Sequence, residues 1–185
     1  WFRAAGAAVV AAARLGDFAG VDRRFDRAVD TPCAPGAEAA QLQCLCRGAF
    51  QLVFNGRFAR ADEILARIAA IHDAAPAVDA LTTAQVEHVQ GVRAAHVGDV
   101  ARFLRHLEAA VAAFERAGDA RNVSLERTTV AWCFAELGDL PRAERLCREN
   151  LAHCQALRAQ QATTYAKVNL GYILVYCPGG RPGAR

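Results

Sequence analysis

Apolar residues recur every three or four positions in several long stretches of the chain, and polar or charged residues fill the positions between them. This spacing places the apolar side chains on one face of an α-helix, so it predicts a series of amphipathic helices. The chain is therefore predicted to be all-α. Two of the clearest stretches follow helical spacing at Phe103, Leu104, Leu107, Ala110, Val111 and Phe114, and at Ala143, Leu146, Cys147, Asn150, Leu151, Cys154 and Leu157.

The breaks between these stretches come back at a nearly constant distance. Gly-Asp pairs begin at Gly16, Gly98 and Gly138, and a related Gly-Arg pair begins at Gly56. The glycines are 40, 42 and 40 residues apart. A glycine that follows an apolar helical stretch is a common helix C-cap, so each pair predicts a helix, a tight turn and a second helix.

When the repeats are aligned on these glycines, other positions also carry similar residues, and we call each such set of aligned positions a column. The residues seven places before each glycine are mostly small, and those nine places after it are apolar. We expect close helix pairs at the small positions and bulky side chains filling the space between pairs. The small column is Val9, Ala49, Gly91 and Ala131, and the second column is Phe25, Leu65, Leu107 and Cys147.

The repeat predicts one structural unit over residues 1–185. Its four repeats should cover about 2–34, 36–76, 78–118 and 119–158, and a half repeat should cover about 160–177. No break in the sequence marks the last boundary, which lies near Gln160.

The repeated columns resemble the tetratricopeptide repeat family, most clearly in segments 91–110 and 131–151. They share with it the small residue, an apolar residue three places later (as Phe134), the Gly-Asp turn and an Ala-x-x-x-bulky step. Two features depart from the family pattern: the period is about 40 rather than 34, and the early tryptophan is missing. The resemblance implies a right-handed α-solenoid of antiparallel helix pairs with about nine helices, of the long-repeat type common in large bacterial regulators. HEAT-like repeats share the period and are the alternative fold.

Composition and charge narrow the class further. Alanine, which has the highest helix propensity, occupies 42 of 185 positions, and no stretch is apolar enough to span a membrane. The formal net charge of +3, with acids scattered among the arginines, is too small for a nucleic-acid surface. Seven cysteines in a chain of this size predict reduced thiols and a cytoplasmic protein. The chain contains no methionine and begins at Trp1, so we expect a fragment of a longer protein.

No motif predicts catalysis, a cofactor or a metal site. The sequence has no glycine-rich phosphate loop, no His-Glu-x-x-His helix and only one serine. His88 and His96 are eight residues apart, which is about 12 Å along a helix and too far to share one metal ion. The protein is predicted not to be an enzyme.

The resemblance also implies where a partner would bind. In such solenoids the first helix of each pair lines a concave groove. The positions that some family members use to hold a partner's terminal carboxylate carry no lysine or asparagine here, so an apolar or aromatic ligand is expected. The alternative is that the groove aromatics simply pack against neighbouring repeats. The predicted groove residues are Phe50, Phe54, His88, His96, Thr128, Trp132, Tyr165, Tyr172 and Tyr176.

Three functions follow from this pattern. The first is a non-catalytic scaffold that binds a protein, a peptide or other domains of its parent chain in the groove. The second is a small-effector sensor in a multidomain bacterial regulator or kinase, for which His88, His96, Thr128 and Glu136 would have to converge in a closed pocket. The third is a homodimer formed through the apolar face of the C-terminal helix.

Overall fold

The computed structural model describes residues 1–75 and 78–176, and within these ranges the chain is all-helical, with nine α-helices and no strand. The sequence-based prediction of an all-α chain is confirmed at this level. The predicted repeat ends at 76 and 177 lie outside the described residues. The helices are α1 (Phe2–Arg14), α2 (Phe18–Asp30), α3 (Glu38–Phe54), α4 (Phe58–Ala74), α5 (Ala80–His96), α6 (Val100–Arg116), α7 (Ala120–Glu136), α8 (Leu140–Ala156) and α9 (Gln160–Tyr176).

The Gly-Asp pairs end one helix and begin the next. At Gly98 the backbone is left-handed (φ +79°), and the amides of Gly98 and Asp99 donate to the carbonyls of Ala95 and Ala94. This is the hydrogen-bond pattern of a Schellman C-cap, which glycine adopts without steric cost. The Asp99 carboxylate then accepts from the amide of Arg102 at 2.9 Å and so caps α6.

The turn between α8 and α9 has the same hydrogen bonds without a glycine. Arg158 occupies the left-handed position at φ +52°, and its amide donates to the carbonyl of Gln155. The sequence shows no break near Gln160 because the glycine that marks the other turns is replaced here by an arginine. Helices α5 to α9 therefore begin every 20 residues, whereas the link between α2 and α3 is seven residues long.

Neighbouring helices pack on one another along the whole described chain. Each helix contacts the next, and the odd-numbered helices also form contacts between α1 and α3, α3 and α5, and α7 and α9. No Cα atom of α5 lies within 8 Å of one in α7, so this series is interrupted once. The even-numbered helices make no such contacts with one another.

The buried apolar side chains form one large cluster and three smaller ones. The large cluster runs without a break from α1 to Val92 in α5. In it the Phe25 ring lies against Gly48, where a Cβ atom would be 1.7 Å from the ring, so only glycine fits. The smaller clusters lie among α5 to α9. No helix in the described ranges is both long and apolar enough to cross a membrane.

Candidate functional site

A cavity of about 980 Å³ lies where the odd-numbered helices face one another, and we call it the central cavity. Its rim is open to solvent, because Phe54, Tyr165 and Val168 on it are 40% or more exposed. Side chains of α1, α3, α5, α6, α7 and α9 line it. The lining residues are Val10, Cys46, Arg47, Phe50, Gln51, Phe54, Gln85, His88, Val89, Val92, Phe103, Leu107, Phe114, Asn122, Leu125, Glu126, Thr129, Gln161, Thr164, Tyr165 and Val168.

Aromatic rings form the wall of the central cavity on α3 and α5. Phe50 and Phe54 are one helical turn apart, and their ring centroids are 4.5 Å from each other. The imidazole of His88 stacks on the Phe50 ring with a centroid distance of 5.6 Å. Phe54 remains 59% exposed, so this wall offers a free aromatic face to a ligand.

The floor of the central cavity comes from α6, because α5 and α7 stand apart there. Phe103, Leu107 and Phe114 of α6 lie beneath the opening between the two helices. All three are themselves buried, so they close the cavity from below without being part of its exposed rim. The α6 side chains thus reach the cavity where the odd-numbered series is interrupted.

Polar side chains face each other across the opening between α5 and α7. His88 Nδ1 lies 2.8 Å from Glu126 Oε1, but the two atoms are not aligned for a hydrogen bond. Glu126 is only 7% exposed. Gln85 Oε1 is also buried and accepts no hydrogen bond from the described residues. We call these three residues the polar bridge: Gln85 and His88 on α5, and Glu126 on α7.

The far wall is made by α7 and α9. Thr129 Oγ1 donates to the carbonyl of Leu125 and lies 3.5 Å from the hydroxyl of Tyr165. The guanidinium of Arg121 donates to the side-chain oxygen of Gln161, which ties the start of α9 to α7. This wall therefore mixes hydroxyl groups with the apolar side chains of Leu125 and Val168.

Of the nine residues predicted for the groove, Phe50, Phe54, His88 and Tyr165 line the central cavity. The five others lie elsewhere. Thr128 is fully buried. Its hydroxyl group donates to the carbonyl of Ser124 at 3.0 Å and accepts from Asn150 Nδ2 at 2.8 Å, so it is satisfied inside the protein.

Trp132, His96, Tyr172 and Tyr176 are outside the cavity lining. Trp132 is partly buried, with its ring centroid 6.4 Å from that of Phe103. His96 is exposed, and its Nδ1 donates to the carbonyl of Val92 at 2.9 Å.

The other two are neighbouring tyrosines on the exposed face of α9. The Tyr172 hydroxyl donates to Glu136 Oε1 at 2.8 Å, and this bond to a carboxylate raises the pKa of Tyr172. Tyr176 lies beside it with a centroid distance of 4.9 Å. On the same helix Ile173 is fully buried, whereas Val168 and Val175 are exposed.

Most of the polar residues that line the cavity were not predicted from the sequence. On α7 the face toward the cavity carries Asn122, Leu125, Glu126 and Thr129, whereas column matching pointed to Thr128. The side of α7 that faces the cavity and the side predicted from the repeat columns differ by about one residue, which is about 100° around the helix axis. A signal was present in the sequence, because Asn122, Glu126 and Thr129 follow the i, i+4, i+7 spacing of one helical face.

The described residues were searched for metal-binding clusters and reactive cysteines. No group of three or more His, Cys, Asp or Glu side chains in these ranges is placed to hold a metal ion. Cys46 lines the central cavity, but burial raises the pKa of its thiol to about 12, so it is a poor nucleophile at neutral pH. What the arrangement can do is surround an apolar chain and offer it a few polar partners.

Comparisons with known proteins do not identify a family. No protein-family model matches the chain, and no curated protein matches it.

Proposed function

We propose that the chain is a non-catalytic interaction scaffold, part of a larger cytoplasmic regulatory protein, that receives an extended or helical protein segment in the central cavity. The observation that carries the proposal is the exposed aromatic wall, Phe54 with Phe50 behind it, on an open cavity of about 980 Å³. Large exposed aromatic side chains of this kind cluster at protein-binding surfaces because they offer much contact area at low entropic cost.

The shape of the cavity favours a chain segment over a small effector. Lining residues extend from Val10 on α1 to Val168 on α9, across all five odd-numbered helices. At 8–10 Å between packed helix axes, this is at least on the order of 30 Å. An extended segment of about ten residues covers that distance. The four residues expected to converge in a sensor pocket are spread out, and only His88 among them lines the cavity.

The proposal includes the tetratricopeptide-like architecture, a right-handed solenoid of antiparallel helix pairs. Two features support it: the odd-numbered helices contact one another while the even-numbered ones do not, and the turns repeat the same capping geometry. In such a solenoid one layer of helices faces the groove and the other faces outward. The six cysteines in the described ranges are all free, which is consistent with a reducing compartment.

The test is selection of peptides on the immobilised protein from a random 12-residue display library. We expect enriched peptides whose affinity falls at least about tenfold, or ~1.4 kcal/mol, in Phe54→Ala and Tyr165→Ala. Tyr172→Ala is the matched control, since Tyr165 and Tyr172 are both 40% exposed on α9 and only Tyr165 lines the cavity. It should change affinity less than twofold.

Two results would overturn the proposal. One is a library from which no peptide is enriched. The other is a set of peptides whose binding depends on Tyr172 and is unaffected by Phe54→Ala and Tyr165→Ala.

A further inference from the structure

The polar bridge contains one buried acceptor without a donor and one carboxylate whose only ionic neighbour is an imidazole. Glu126 is 7% exposed, and His88 Nδ1 at 2.8 Å is the one ion-pair contact of its carboxylate among the described residues. Gln85 Oε1 is buried without a partner on the facing helix. A buried carboxylate and a buried amide oxygen each cost free energy unless a donor reaches them.

His88 does not meet this need. Its Nδ1 lies 2.8 Å from Glu126 Oε1, but the two groups are not oriented to form a hydrogen bond. In addition, an imidazole balances the charge of a carboxylate only when the imidazole is protonated. The stacking of His88 on Phe50 holds the ring in this orientation. The carboxylate therefore remains available to a better donor that enters through the cavity.

A third acceptor lies one turn before Glu126 on the same face of α7. Asn122 Nδ2 donates to Asp119 Oδ2 at 2.6 Å, which leaves the amide oxygen of Asn122 without a donor in the described residues. Asn122 and Gln85 both line the central cavity beside Glu126. One carboxylate and two amide oxygens thus border the opening between α5 and α7.

This set of acceptors matches one side chain in particular. The arginine guanidinium carries a positive charge and five N–H donors in a plane, so it can pair with a carboxylate through two bonds and still donate to neighbouring oxygens. Glu126 is the one aspartate or glutamate among the residues that line the central cavity, and the one lysine or arginine among them is Arg47, on α3.

We propose that the polar bridge is the receptor for one arginine side chain of the segment that the central cavity binds, with Glu126 as its ion-pair partner. This inference rests on the proposed function, because it needs a segment in the cavity. The apolar and aromatic walls hold the residues on either side of the arginine. Arginine at this position then sets which segments bind and in which register they lie.

The test uses four synthetic libraries of 11-residue peptides with one fixed central residue. The flanks are equal mixtures of alanine, leucine, phenylalanine, glutamine and serine, and the centre is arginine, citrulline, norleucine or glutamate. Citrulline has the shape of arginine without its charge. We expect the intact protein to retain the arginine library at least tenfold more strongly than the citrulline library, and to retain the glutamate library least.

Two variants of α7 locate the effect. Glu126→Gln keeps the side-chain shape and should reduce the preference for arginine over citrulline to less than twofold. Glu136→Gln makes the same change on the same helix outside the cavity, at an exposed residue, and should keep the preference.

Equal retention of the arginine and citrulline libraries by the intact protein overturns the inference, and so does the absence of any retention. Loss of the preference in Glu136→Gln as well as in Glu126→Gln also overturns it. The comparison on the intact protein stands even if Glu126→Gln folds poorly. If random peptides depend on Phe54 and Tyr165 while arginine is not preferred, the scaffold proposal survives and only the arginine receptor fails.

Discussion

The helices of residues 2–74 and those of residues 80–176 are built from the same kind of unit but are held together differently. In the first region, buried side chains join into one continuous cluster that reaches α5. In the second, the buried side chains divide into three smaller clusters. Helix α5 belongs to both, since Val89 and Val92 lie in the large cluster and Ala84 and Ala94 in two of the smaller ones.

The residue types at fully buried positions differ in the same way. The first region buries large side chains such as Phe25, Leu45 and Ile68. The second buries mostly alanine and cysteine, together with a polar network in which Asn150 Nδ2 donates to the carbonyl of Ser124 at 2.7 Å. Small and hydrogen-bonded interiors bring helices close while burying less apolar area.

The central cavity lies where the two regions meet. The continuous core ends at α5, the next close contact of that helix is with α6, and α7 stands away from α5. The opening lies at this junction, with α6 as its floor and the polar bridge across it. A fold that continued the first region's packing would have filled this space with aliphatic side chains.

The largest expected effect is a difference in the loss of stability when two leucines that are both 0% exposed are each changed to alanine. Leu45 on α3, a helix that packs against four others, belongs to the continuous core, whereas Leu107 on α6 forms part of the floor of the central cavity. We expect Leu45→Ala to lower the free energy of unfolding by about 4 kcal/mol and Leu107→Ala by about 2.5 kcal/mol. The smaller loss follows because the space left by Leu107 joins an existing solvent-open cavity. Urea unfolding followed by circular dichroism measures both.

Equal losses, or a larger loss for Leu107→Ala, would remove the distinction between the two regions. Phe54→Ala serves as the control, because this exposed side chain should change stability by less than about 0.5 kcal/mol.

A smaller effect is expected at the turns, which the second region repeats every 20 residues. Gly118 has φ +71°, so Gly118→Ala should cost about 1 kcal/mol. Arg158→Gly should stabilise by about 0.5 kcal/mol, because it relieves the left-handed strain at φ +52°. Thermal unfolding monitored by circular dichroism gives both differences.

Gly36→Ala is the matched change in the first region, at φ +84° in the seven-residue link. It should cost less than Gly118→Ala, since a longer link can readjust. If Gly36→Ala costs more, the second region does not depend on its tight turns in the way proposed.

Much of the fold could be predicted from the sequence, because helices and their caps depend on residues that are close together in the chain. The apolar spacing and the Gly-Asp pairs predict the helices and most of their ends. The repeat period placed a boundary near Gln160, but the turn itself could not be predicted from residue types, since Arg158 adopts a backbone conformation that no residue-type rule assigns to arginine.

Less of the site could be predicted, because it depends on distances between helices. Phe50, Phe54, His88 and Tyr165 were predicted from repeat columns and line the cavity. The spacing of Glu126 places it on one face of α7 with Asn122 and Thr129. Its role in the polar bridge could not be predicted, because that role depends on the separation of α5 and α7, which is a long-range property.

The central claim is that the cavity at the junction of the two regions is the binding site. The most direct measurement is amide hydrogen exchange of the protein alone and with an arginine-centred peptide from the retained library. The account predicts slower exchange in α3, α5 and α7, in the segments around Phe50, His88 and Glu126, with α2 and α8 unchanged, because neither of these two helices lines the cavity. Slower exchange confined to α2, α8 or the exposed face of α9 would contradict it.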